Sequence, residues 1–94
     1  MTWYRISKSA VLDADKMEAI ADDSREAVSS LGADSIEIAT GEDGTATVIA
    51  HYPNKASMEA AAETAKSVFM RMFDEGAADP SSLEQWTGEV TYTF

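Results

Sequence analysis

A chain of 94 residues allows one domain, and at this length folding buries only about two thirds of the surface that the unfolded chain exposes. Hydrophobic residues at 45% and charged residues at 26% describe an ordinary globular chain, and the lack of cysteine removes disulfides, thiolate metal sites and thiol nucleophiles together. Seventeen acidic residues against seven basic ones give a net charge of −10, which repels phosphate backbones and anionic lipid, so neither nucleic acid nor membrane is expected as a partner.

The first strand is expected over Thr2 to Lys8, with Tyr4 and Ile6 on one face and Trp3, Arg5 and Ser7 on the other. Helix one should begin near Asp13 to Asp15, whose carboxylates suit the positive end of the helix dipole, and end at Gly32. Its inward stripe is Met17, Ile20, Ala21, Ala27, Val28 and Leu31. Ser35 to Thr40 and Thr45 to Tyr52 read as strands joined by the turn Gly41-Glu42-Asp43-Gly44, where the Asp-Gly pair tolerates positive φ. Pro53 stops the third strand, and Asn54 or Ser57 caps a second helix that runs to Gly76. Asp79-Pro80 suits a single helical turn. The last strand alternates to the final residue, with Trp86, Gly88, Val90, Tyr92 and Phe94 on one face.

Strand-helix-strand twice over, joined in the middle by a hairpin, predicts one ferredoxin-like α+β domain over residues 1–94. Two right-handed crossovers give an antiparallel sheet of order 4-1-3-2 with both helices on one face. The helix-facing set is then Tyr4, Ile6, Ile36, Ile38, Val48, Val90 and Tyr92. Trp3, Arg5, Glu37, Thr47, Ile49, His51, Thr87, Glu89 and Thr91 fall on the other face.

The opening Thr2-Trp3-Tyr4-Arg5-Ile6, the closing Gly88-Glu89-Val90-Thr91-Tyr92-Thr93-Phe94, the length and the element order together resemble the dimeric α/β-barrel superfamily, which includes antibiotic-biosynthesis monooxygenase-like and stress-responsive barrel proteins. The resemblance covers the whole chain. It implies a homodimer paired through the sheets, and a ligand held inside the barrel or between sheet and helices. It also implies a choice among many activities, because this scaffold hosts oxygenases, isomerases, decarboxylases and proteins without known activity. Its haem-degrading members use an asparagine, a tryptophan and a helical histidine, whereas the single histidine here stands at a strand end.

By that resemblance, a cofactor-free oxygenase would bind a phenolic or enolisable substrate, help it lose a proton and let the anion meet oxygen. His51 is the candidate base and Arg5 the candidate anion holder, the two catalytic candidates, with Trp3, Thr47 and Ile49 as ligand-binding walls. The ordinary reading of each residue stands beside this one. A strand-end imidazole next to Tyr52-Pro53 suits a solvated or structural role, Arg5 suits a cross-strand ion pair with Glu89, and Trp86 has the parity of a core residue. Asp22, Asp23 and Glu26 lack a histidine or a calcium-loop spacing, so no metal and no cofactor is expected. Two function classes follow. One is a small-molecule-binding or structural module without catalysis. The other is a cofactor-independent monooxygenase-like enzyme. No apolar run reaches the roughly 20 residues of a membrane span, so the expected location is the cytoplasm.

Overall fold

β-branched residues at alternate positions and a tight Asp-Gly turn build the sheet. The computed structural model describes residues 1–94. Its strands are β1 (Trp3–Ala10), β2 (Ser35–Thr40), β3 (Thr45–Tyr52) and β4 (Glu84–Glu89). All neighbours pair antiparallel in the order β2-β3-β1-β4, which is the expected 4-1-3-2 order read from the opposite edge. In the β2-β3 turn Gly44 takes a φ of +82°, a region that an L side chain would strain. Asp43 Oδ1 accepts from the Thr45 amide at 3.1 Å and its hydroxyl at 2.7 Å, which holds the turn shut.

Each expected helix is divided in two. α1 (Ala14–Asp23) starts at Asp13, whose Oδ1 accepts from the Lys16 amide at 3.1 Å, and it stops at Ser24. The Ser24 hydroxyl donates back to the Ile20 carbonyl at 2.7 Å, a local bond that competes with continued helix. α2 (Arg25–Ser29) follows at once. α3 (Lys55–Ala60) is capped by Asn54, whose Oδ1 accepts from the Ser57 amide at 2.8 Å, and α4 (Ala62–Asp74) resumes beyond Ala61. Pro80–Ser82 forms the expected single turn, with Asp79 as its cap.

The core falls into two clusters. Met17, Ile20, Ala46, Met72, Ala77 and Ala78 make one, and Ala50, Tyr52, Met58 and Ala61 make the other. Arg71 clamps the helical layer above them: Nη2 donates to Asp23 at 3.0 Å, Nε donates to Glu75 at 2.6 Å, and the two carboxylates raise its pKa further.

The expected faces are corrected for β1 and β4. Register places Trp3 opposite Tyr52, Arg5 opposite Ala50 and Ser7 opposite Val48, so Trp3, Arg5, Ser7 and Ser9 face the helices. Tyr4, Ile6 and Lys8 face away with His51, Ile49 and Thr47. β4 follows β1: Gln85, Thr87 and Glu89 lie on the helical side, while Trp86 and Gly88 lie on the open side. The physical reason is helix approach. Small Ser7 and Ser9 are buried beneath the helices, where the bulkier Tyr4 and Ile6 would hold them off. β4 also ends at Glu89 rather than Phe94. The Val90 amide still donates to the Thr2 carbonyl at 2.9 Å, but Tyr92 and Phe94 stand exposed beyond it.

Candidate binding site

Between the sheet and the helices, a cavity of about 270 Å³ separates the two core clusters. Ala50 and Tyr52 of one cluster and Met72 of the other form part of its wall. Val28, Leu31, Ile36, Val48, Val68 and Phe69 make most of the remaining lining apolar. Arg5, Ser7, Ser24 and the paired Asp22 and Arg25 supply the polar atoms. Small residues create the space: Ala50 on β3, Ser7 on β1, Ala21 on α1 and Ala65 on α4 leave room that larger side chains would fill.

Arg5 sits mid-strand in β1, between Ala50 and Thr87, and its Nη2 donates to the Met58 carbonyl at 3.2 Å. Met58 lies in the last turn of α3, where carbonyls lack an intrahelical amide partner, so the break at Ala61 leaves that acceptor for Arg5. None of the ion pairs in the protein includes Arg5. The expected pairing with Glu89 is replaced: Glu89 Oε2 accepts from Trp3 Nε1 at 3.1 Å. Tyr52, only 1% exposed, reaches the same cavity, and its phenol pKa is raised by burial against a smaller lowering by the Arg5 charge. Like any phenol it is neutral at physiological pH, and its hydroxyl is able to donate a hydrogen bond.

The other predicted residues go elsewhere. Trp3 shares the helical side but packs on the Tyr52 cluster, with Lys55 Nζ 5.5 Å from its ring centroid. Thr47, Ile49 and His51 lie on the open face, so the expected convergence of Trp3, Arg5, Thr47 and His51 does not form. The His51 ring meets Tyr4 edge-on at 4.4 Å. Its Nε2 lies 3.3 Å from Glu37 Oε1, within ion-pair distance, yet the angle makes no hydrogen bond and the atom is buried without a partner. Trp86, expected in the core, is 58% exposed on the open side. Its ring lies over Gly88, where an added Cβ would clash with the indole.

Solved structures supply the comparison. Rv0793 from Mycobacterium tuberculosis superposes with a TM-score of 0.74 at 10% identity, over 99% of this chain and 98% of that one. The two chains share one ferredoxin-like α+β fold over nearly their whole length. A monooxygenase from Streptomyces coelicolor, ActVA-Orf6, solved in complex with the ligand nanaomycin D, superposes with a TM-score of 0.70 at 11% identity, over 98% and 89% of the two chains. A Deinococcus radiodurans protein, provisionally described as an antibiotic biosynthesis monooxygenase, gives 0.73 at 13% identity over 100% and 96%. No protein-family model matches the chain, and no curated protein does. No helix is long and apolar enough to cross a membrane, and no group of three or more His, Asp or Glu residues is placed to hold a metal ion.

Tyr52, Ser7, Ser24 and Arg25 are polar cavity residues that sequence reasoning missed. A serine inside an otherwise regular helical stripe was the available signal for Ser24. Nothing in the pattern of β1 announced Ser7, because the more apolar half of that strand faces away from the helices.

Proposed function

We propose that this chain is a homodimeric small-molecule-binding protein whose ligand, a phenolic or enolisable compound, occupies the cavity between sheet and helices with its oxygen on Arg5. The carrying observation is a guanidinium without a carboxylate partner on the wall of a mostly apolar cavity, in a chain of net charge −10. A cation left without a counter-ion amid so many carboxylates is poised to accept one from a ligand. Tyr52 adds a neutral donor, and the aliphatic and aromatic lining removes water from a flat ring. Calorimetric titration with a hydroxynaphthoquinone tests the reading. Binding at one ligand per chain is expected, weakened at least about tenfold by Arg5→Ala and unchanged by His51→Ala, since a hydrogen bond to a charged group contributes about 1.5–3 kcal/mol. Equal affinity of a folded Arg5→Ala variant overturns it.

The second copy belongs to the same reading. Tyr4, Ile6, Ile49 and Trp86 share the open face with the unsatisfied His51 Nε2. The protomer exposes 5983 Å², above the roughly 5,300 Å² of a compact monomer of its mass, as suits a chain that covers part of its surface with a second copy.

Turnover is a second reading, favoured by the likeness to a monooxygenase solved with a polycyclic ligand. In it, Arg5 would hold the anion of an enolisable methylene while one oxygen molecule converts that methylene to a carbonyl and releases one water. Stoichiometric oxygen uptake with an enolisable polycyclic ketone, lost in Arg5→Ala, supports turnover. Binding without oxygen uptake supports the module without catalysis.

A further inference from the structure

Beside the inner cavity lies a second, outer groove of about 510 Å³, between α4 and the edge strand β4. The two spaces share three wall residues, Arg5, Ala65 and Phe69, so they adjoin across the Arg5 side chain. The outer groove adds Lys66 and Met70 from α4 and Leu83 and Trp86 from the β4 side, among others. Its charge is the informative feature. Two of the chain's seven basic residues line it, and none of the seventeen acidic residues does. Lys66, like Arg5, belongs to none of the ion pairs.

From this juxtaposition we infer that the outer groove is a second ligand compartment, which binds the carboxylate-bearing apolar arm of a bipartite organic acid whose ring occupies the inner cavity. The inference rests on the proposed inner site and names the ligand class more narrowly. Phe69, Met70, Phe73 and Leu83 give an alkyl or aryl arm an apolar bed, and Lys66 at the exposed side receives the carboxylate. Elsewhere the carboxylates of this chain repel an organic anion. A groove lined by two cations and by no carboxylate favours the anion locally.

The ligand class is tested with a matched pair of probes, a hydroxynaphthyl butanoic acid and its methyl ester, titrated calorimetrically against the full chain and Lys66→Gln. Lys66 is an exposed helix residue, so this substitution leaves the fold intact. The acid should bind about fivefold more tightly than the ester to the parent at low salt, as expected for a partly exposed ion pair. Lys66→Gln should remove that preference without changing ester affinity, and molar sodium chloride should reduce it in the parent. Equal affinities of acid and ester in the parent overturn the outer compartment while leaving the inner site standing. Binding of neither probe overturns both. A Lys66→Gln variant that keeps the full preference overturns the inference, and one that changes only the state of association overturns it by assigning the groove to a second copy.

Discussion

Arg5 and Tyr52 are opposed choices for burial, a charged group and a phenol, and the cavity between them explains why each is tolerated. Arg5 satisfies one donor on the Met58 carbonyl and keeps others free for a ligand. For Tyr52, burial favours the neutral form, which raises its folded-state pKa above the usual phenol value of about 10. The sign follows from proton counting. Below pH 10 the phenol is protonated in both folded and unfolded chains. Above it the unfolded chain loses the proton first, so folding stability falls as pH rises towards the folded pKa. Thermal melts from pH 8 to 11 should therefore show a steeper alkaline fall for the parent than for Tyr52→Phe. Parallel curves would mean that Tyr52 is not desolvated as described.

At the scale of elements, the site depends on two interrupted helices. The α3-α4 break supplies the carbonyl that holds Arg5, and Ser24 at the α1-α2 break lines the same cavity. The cap at Asn54 anchors the start of α3. Asn54→Ala should cost about 1 kcal/mol in chemical denaturation, the usual cost of losing an N-cap. It should also weaken binding of the hydroxynaphthoquinone, because a frayed α3 no longer presents Met58 to Arg5. A variant destabilised by that amount but with unaltered affinity would separate α3 from the site.

For the whole molecule, the open sheet face dominates. Tyr4, Ile6, Ile49 and Trp86 make it more apolar than the sequence pattern implied, and a small core has much to gain from covering them. Sedimentation equilibrium at micromolar concentration should return twice the chain mass, and Ile49→Asp should shift the protein towards the monomer by placing a charge on that face. A monomeric parent would leave the face as a solvated surface.

The alternation of strands and helical segments, the Asp43-Gly44 turn, the caps at Asn54 and Asp79 and the strand order were legible in the residues. Each follows from local stereochemistry or from the handedness of crossover connections, which neighbouring chain segments determine without distant help. Arg5 was legible as a candidate site residue, but its surroundings were not. Alternation tells which residues share a strand face and never which face meets the helices; in β1 the apolar Tyr4 and Ile6 pointed to the wrong one. The break at Ala61 carries no glycine or proline to announce it. Packing made these choices: close helix approach selected Ser7 and Ser9 for the buried side, and that single flip moved Arg5 into the cavity and away from His51.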